Sequence, residues 1–376
     1  MKQRSMVSKR WLQVLSSLVL GTSVLFSGFD GVPAASAQSP AQIISTTPKD
    51  LVRYFSFGDK DQGQPIRVHA VEVKLSDPRV QLDLAMAKEG ASTVERVSNI
   101  ARRHGALAAI NGSFFHGTTV DSSVGLVVRH GEIIADSGHR RTSLGIDPEG
   151  KMIMGIPQVR TGLYVHQHDR FQRVNGVNQP RKYHQTVVYT PRFGQYTRTN
   201  TYGREVVVRD NRVVRYSYGN TQIPDDGFVI SAHGKGKEIQ DLYPLGSEIS
   251  LKTLQQGPWK RVNTILTGAP HLVKEGRIHN TYFQEKLHSS LKKPNSRSAI
   301  GYTHNGKLLM VTVLPAKGNK GGGVTFTRLA QIMRRMGAYE AMALDGGGST
   351  SMYVPHTIEY AHRPVTNALI IKSVNS

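Results

Sequence analysis

The segment Ala341–Val354, AMALDGGGSTSMYV, constrains this chain more than any other stretch. Met342 and Leu344 suit the buried face of a strand, and the strand runs straight into Asp345, then Gly346, Gly347 and Gly348, then Ser349, Thr350 and Ser351. Consecutive glycines take backbone angles closed to other residues and let a ligand approach the amides. The hydroxyls add donors and acceptors. A turn alone does not require a carboxylate and three glycines. The pattern predicts a ligand site with Asp345 as its reactive group and with Gly346, Gly347, Gly348, Ser349 and Thr350 around the substrate.

The surrounding pattern alternates helix and strand. HAVEVKL (69–75) and VQLDLAM (80–86) alternate as strands, with DPR as the turn between them. Thr93 is placed to cap a helix carrying Val94, Val97, Ile100 and Ala101, and the short apolar run ALAAI then leads to Asn111. Late in the chain Thr325 is placed to cap a helix bearing Phe326, Leu329, Ile332, Met333 and Met336, after which a strand leads to Asp345. RRHGALAAING (102–112) and RRMGAYEAMALDGG (334–347) share Arg-Arg-x-Gly-Ala, a strand, and Asn-Gly or Asp-Gly. Two helix-to-strand units are thus expected to bring Asn111 and Asp345 to one edge of a shared sheet.

Residues 161–256 read differently, as short strands separated by Asn, Gly and Pro turns. This region is rich in arginine and in tyrosine (Tyr183, Tyr189, Tyr196, Tyr202, Tyr216, Tyr218), a composition suited to sugar rings and anions. The expected fold class is therefore α+β: a mixed sheet with packed helices, plus a mostly β middle region. The expected organisation is a signal peptide over 1–37, a linker or N-terminal arm over 38–65, and a catalytic domain in two parts, 66–160 and 257–376, around the middle region.

Lys2, Arg4, Lys9 and Arg10 precede an apolar run from Trp11 to Phe29, and AASA precedes Gln38. That order of charge, apolar stretch and small residues is an export signal, so the expected location is periplasmic or extracellular, with no stable membrane span in the mature form. The chain has no cysteine, which excludes disulfides and lipid attachment through a thiol. Net charge is +21, of which the leader supplies three, so the partners should be anionic. No zinc-finger spacing or RNA-binding aromatic motif points to a specific nucleic acid.

AINGSFF (109–115), PNSRSAIG (294–301), the glycine-rich segment and VTNALII (365–371) occur in that order, with NGVNQPR (175–181) and VVYTPRFG (187–194) between. Together they resemble the phosphodiester glycosidase family over roughly 68–376. The resemblance implies hydrolysis of a sugar-to-phosphate glycosidic bond, on an anionic glycan or sugar phosphodiester; with no metal motif in the chain, no cofactor is expected. Two departures stand out. The strand after Arg297 reads VTVLPAKGNKGGGVT (311–325) where the family commonly carries Asp-Gly-Arg, and the usual Pro-Arg-Thr is replaced by Asn295, Ser296, Arg297 and Ser298.

In this setting Arg297 is expected to grip two phosphate oxygens with its guanidinium fork. Asp345 would act as acid/base or stabilise an oxocarbenium ion, because a phosphate leaving group needs charge stabilisation more than a strong second acid. Asp121, Glu285 and Glu340 are the candidates for a second carboxylate. Asn111 offers an amide to a sugar hydroxyl or to Asp345, while His271 and His116 offer imidazoles to substrate. Zinc has no motif here; one calcium or magnesium ion is conceivable on Asp345, Asn111 and nearby hydroxyls. Asn111, Asp345 and Arg297 should line one pocket, with a free backbone N–H of the glycine loop facing into it. Two other functions fit the same residues: a non-catalytic binding or assembly protein for anionic exopolysaccharide, and a phosphodiesterase that cuts the phosphate bond instead.

Overall fold

Strand Gln64–Lys74 shows how the core is built. Its period-two alternation sends Ile66, Val68 and Ala70 to one side and Val71 and Val73 to the other, and both sets are buried. A strand covered on both faces needs a layer on each. The computed structural model supplies them, and it describes residues 42–46, 51–117, 120–234, 238–316, 322–361 and 363–374. The chain divides into two units, Met1–Ala37 and Gln38–Ser376. The export signal lies outside the described residues, and everything below concerns the second unit.

Gln64–Lys74 belongs to an eight-stranded sheet that also contains Arg297–Thr303, Lys307–Pro315 and Ala338–Ala343. A five-stranded sheet contains Val80–Met86, Ala108–Asn111, Ser351–Val354 and Asn367–Ser373. Val71, Val73, Met310 and Met342 of the first sheet pack with Leu84, Ile110, Met352 and Leu369 of the second, which sets the two sheets face to face. The outer face of the first is closed by helix Phe326–Arg335, through Leu329, Ile332 and Met333 against Val68, Val311 and Ala341. The outer face of the second is closed by helix Val97–Arg103, through Val97 and Ile100 against Ala109 and Ile370. The layers therefore run helix, sheet, sheet, helix. The middle of the chain forms half of a ten-stranded sheet and nearly all of a three-stranded one around its own core of Val206, Val208, Ile230 and Leu163.

Several expectations are corrected here. The fold class is mostly β rather than helix-packed α+β, with 48% strand, 14% helical residues and three α-helices among the described residues. Both units of helix and strand exist, but Ala108–Asn111 and Ala338–Ala343 lie in different sheets. The first pairs with Ser351–Val354 and Asn367–Ser373, the second with Arg297–Thr303 and His271–Lys274, so no sheet edge is shared. The segment read as an arm contains strands Gln42–Thr46 and Val52–Asp61, the latter paired along its length with Gln64–Lys74. Thr93 does not cap a helix: its hydroxyl donates to the Ala87 carbonyl, and the helix begins after Arg96. Thr325 does cap, its Oγ1 accepting from the Arg328 N–H at 3.2 Å.

One core group makes the fold acid-sensitive. His69 sits between the sheets with Nδ1 2.7 Å from the Tyr54 hydroxyl, and burial, with Arg67 nearby, pushes its pKa from 6.5 down to about 4. The folded protein thus holds His69 neutral where the unfolded chain protonates it. Its contribution to stability is present above pH 6.5 and is lost as the pH falls to about 4, amounting to about 3 kcal/mol at most. Urea titrations of wild type and His69→Gln across that window should show a shallower acid loss in the variant; parallel curves would remove His69 from the acid limb.

Candidate active site

Asp345 stands two residues past the end of strand Ala338–Ala343 and is fixed by its backbone before its carboxyl does anything. Its N–H donates to the Gly112 carbonyl at 3.1 Å, and its own carbonyl accepts from Asn111 Nδ2 at 2.7 Å. Asn111 Oδ1 accepts from the Ser298 hydroxyl at 2.6 Å and from the Ser351 N–H at 3.0 Å. This fully buried amide therefore ties together the ends of both central sheets. It brings the two expected residues to one place, but its polar atoms are spent on protein partners rather than offered to a sugar or a cation.

The carboxyl of Asp345 is itself buried. Oδ1 accepts from the Gly346 N–H at 2.9 Å, and Oδ2 lies 3.3 Å from Arg363 Nη2. Burial raises its pKa above the ordinary carboxylate value; hydrogen bonds from Ser349 and Gly346 and the charge of Arg363 act in the opposite direction without cancelling it. Arg363 Nε donates to Ser349 Oγ at 2.7 Å, and its guanidinium rests 4.7 Å from the centre of the Phe115 ring. About half of the Arg363 side chain remains exposed, so it can still meet a ligand.

The glycines are needed where they stand. A side chain at Gly346 would put its Cβ 2.8 Å from the Ser296 carbonyl oxygen, and Gly347 adopts φ +59°. The tight turn that results uses the amides of Gly346, Ser349 and Thr350 internally, and the Gly347 N–H donates to the Ser296 carbonyl at 2.8 Å. Among the described residues the Gly348 N–H has no acceptor, which leaves it as the donor the loop offers to an anion. Ser349 is fully buried beneath Arg363, and the buried Thr350 Oγ1 has no hydrogen-bond partner among the described residues.

Arg297 lies directly under this loop, its Nη1 3.5 Å from where a Gly346 Cβ would stand. Two of its nitrogens turn inward, Nε donating to Val324 O at 3.2 Å and Nη2 to Leu291 O at 2.7 Å and Lys293 O at 2.8 Å, while Nη1, on the side of the loop, has no acceptor among the described residues. The guanidinium is 2% exposed, sits 4.1 Å from the Phe326 ring centre, and has its pKa pushed down to about 10 by burial, against the charge of Asp345. It stays cationic at neutral pH.

The remaining candidates lie elsewhere. His271 is buried with Nε2 2.7 Å from Glu340, whose other oxygen accepts from the Glu275 N–H. Glu285 binds the N–H and hydroxyl of Thr142, the Thr281 hydroxyl and the His271 N–H. Both carboxylates hold chain segments in place. Asp121 stands on a small hairpin opposite Gly117, and His116, on the same hairpin next to Phe115, is exposed. Among the described residues no three His, Cys, Asp or Glu side chains gather as a metal cluster.

The phosphodiester glycosidase family model matches residues 185–372, half of the chain, and includes the strand of Arg297, the glycine loop and Arg363. The chain belongs to the phosphodiester glycosidase family. Among solved structures, a hypothetical protein from Synechocystis aligns with TM-score 0.76 at 21% identity, over 89% of this chain and 64% of that one. A Burkholderia pseudomallei protein named as a candidate for export aligns with TM-score 0.67 at 21% identity, over 83% and 75%. The catalytic domain of zebrafish N-acetylglucosamine-1-phosphodiester alpha-N-acetylglucosaminidase, auto-inhibited by its pro-peptide, aligns with TM-score 0.48 at 14% identity, over 89% and 88%. The chain thus spans less than two thirds of the Synechocystis protein. No curated protein matches it. At these identities the first two structures establish the fold of this family member.

Two residues of the site escaped the sequence reading. Arg363 lies two positions before VTNALII, and Asn367 lies inside it. Asn367 Oδ1 accepts from the Ser113 N–H at 2.9 Å, while its Nδ2 donates to the hydroxyls of Ser113, Ser123 and Thr366, which fixes the turn after Asn111. Polar residues beside a C-terminal apolar strand were the available signal.

Proposed function

We propose that this protein is an exported hydrolase that cleaves the glycosidic bond between a sugar and a phosphodiester in an anionic glycan or cell-envelope polymer. The observation that carries this reading is the buried Asp345 carboxyl paired with the half-exposed Arg363 beside the free Gly348 N–H. Burial favours the protonated carboxyl, which suits proton donation to the departing oxygen. Arg363 and the Gly348 amide supply positive potential for the phosphate. Arg363, rather than the buried Arg297, is then the arginine that meets substrate, and Arg297 stiffens the loop from below. A calcium or magnesium ion on Asp345 and Asn111 fits poorly, because Asn111 Oδ1 already accepts two hydrogen bonds. The leader read in residues 1–37 directs the chain to the periplasm or beyond. Among the described residues no helix is long and apolar enough to cross a membrane.

Reaction in oxygen-labelled water decides the bond. Attack on the sugar carbon breaks the carbon–oxygen bond and places the label on the sugar; label on phosphate would mean a phosphodiesterase. Failure to release product from any member of a panel of sugar-1-phosphodiesters, together with tight binding of an anionic exopolysaccharide, would favour the binding-protein reading. Arg363→Ala should lower kcat/KM on a phosphodiester by about a hundredfold or more, with little change in melting temperature and a far smaller loss on a neutral aryl glycoside. Equal losses on both substrates would place Arg363 outside phosphate recognition.

A further inference from the structure

A cleft of about 440 Å³ opens where helix Phe326–Arg335 begins, and its walls are largely aromatic, from Tyr282, Phe283 and Phe326. Tyr282 is buried, its hydroxyl donating to the His288 carbonyl at 2.9 Å and its N–H to Asn280 Oδ1 at 3.2 Å. Its ring meets Phe283 edge-on at 5.1 Å and Phe326 at 5.8 Å. Phe283 is nonetheless 73% exposed. A turn fixes it, the Lys286 N–H donating to its carbonyl at 3.1 Å, and Lys292 Nζ stands 5.9 Å from its ring centre. A rigid apolar ring held at the mouth of an aromatic cleft is a stacking surface for a ligand with an apolar face.

The charges around the cleft select against an anion. Arg328 spends its guanidinium on Asp59 at 2.6 Å, a carboxylate that Arg335 also binds. Asp61 and Lys292 remain, one charge of each sign. The helix start already has its negative group, because Asp61 Oδ2 accepts from the Thr325 N–H at 3.0 Å and Thr325 Oγ1 accepts from the Arg328 N–H. Asp61, Lys292 and the exposed Gln62 can instead hydrogen-bond hydroxyls around a ring stacked on Phe283.

The cleft and the glycine loop share a wall. Lys292 and Pro294 line the cleft, and the next residue, the exposed Asn295, has its Nδ2 3.3 Å from where a Gly347 Cβ would stand. Beneath them, the Arg297 guanidinium lies 4.1 Å from the Phe326 ring centre, with Nη1 3.5 Å from where a Gly346 Cβ would stand. From the free Gly348 N–H, the route through Gly347, Asn295 and Pro294 therefore leads into the cleft.

We propose that this cleft is a subsite for a neutral sugar ring, carried on the alcohol side of the phosphodiester whose glycosidic bond lies at Asp345. This rests on the glycosidase reading above and deepens it, because it makes the alcohol released with the phosphate a saccharide that the enzyme recognises.

The test compares two sugar-1-phosphodiesters that differ only in the alcohol, methanol or maltotriose, with the full chain. The expected kcat/KM is about tenfold or more higher on the maltotriosyl diester. Phe283→Ala should remove most of that preference and keep the melting temperature, since the ring is exposed; Phe283→Trp should retain the preference. Equal kcat/KM on the two diesters, or a preference that survives Phe283→Ala, overturns the subsite. A trigalacturonate diester preferred over the maltotriosyl one, and dependent on Phe283, overturns the assignment to a neutral ring. Self-association in sedimentation that depends on Phe283, without any sugar preference, makes the cleft a contact between copies of the chain and overturns the proposal. If no sugar-1-phosphodiester is hydrolysed, the glycosidase reading falls. Saturation transfer to free maltotriose, present with the wild type and lost in Phe283→Ala, then still decides the cleft.

Discussion

Asp345→Asn is expected to lower turnover on a sugar-1-phosphodiester by about a thousandfold or more and at the same time to raise the melting temperature at neutral pH. Both effects come from one group. The carboxyl is buried, and its folded pKa lies above the value of 3.8 that it has when free. The stability it contributes is therefore fully present below 3.8 and is lost as the pH rises through the raised folded value. At pH 7 the wild type carries the cost of burying a group that is ionised when free, and the nearly isosteric amide removes that cost while still accepting from the Gly346 N–H. The gain should shrink as the pH is lowered towards the free carboxyl value. Calorimetry at pH 7 and pH 4, alongside turnover, checks both halves. Normal turnover in the folded variant would remove Asp345 from the chemistry. A lower melting temperature at pH 7 would mean that Arg363 and Ser349 more than offset burial.

What was legible in the sequence follows from the physics of each element. The glycine loop announced itself because its geometry excludes side chains, so the composition at 346–348 is a direct imprint of backbone shape. The helix over Phe326–Arg335 was equally plain: its cap, its apolar stripe and its closing glycine all agree. The sheet assignments were hidden. A strand such as Ala108–Asn111 is buried on both faces and reads as an uninterrupted apolar run, whatever partners it pairs with. Two similar runs thus looked like one sheet, although they lie in sheets packed face to face.

The site shows the same division. Sequence order identified Asp345, Asn111 and Arg297 as belonging together, and the hydrogen bonds and close packing around Gly346 bear out their proximity. Which polar atoms remain free was not encoded in any local pattern. Asn111 and two of the three nitrogens of Arg297 are occupied by partners from segments up to 240 residues away, whereas Arg363 keeps an exposed face. Satisfaction of buried donors is a property of the assembled fold, so a motif arginine and a phosphate-facing arginine need not be the same residue.

Arg297→Lys separates those two roles, and the geometry gives a different forecast from the motif. A lysine retains the charge but not the planar fork, so it cannot reach the carbonyls of Val324, Leu291 and Lys293 together or lie flat against Phe326. Buried acceptors left without donors cost roughly 1–3 kcal/mol each, and breaking a buried charged network costs about 3–5 kcal/mol. The expected outcome is a large loss of stability in urea, with activity on phosphodiesters and on neutral aryl glycosides falling together as the loop above Arg297 loosens. Arg363→Ala should show the opposite combination, with stability kept and phosphodiester activity lost. Measuring both variants by denaturation and on both substrates settles the assignment. If Arg297→Lys kept its stability and lost only phosphodiester activity, the anion-binding arginine would be Arg297 after all, with Nη1 as its donor.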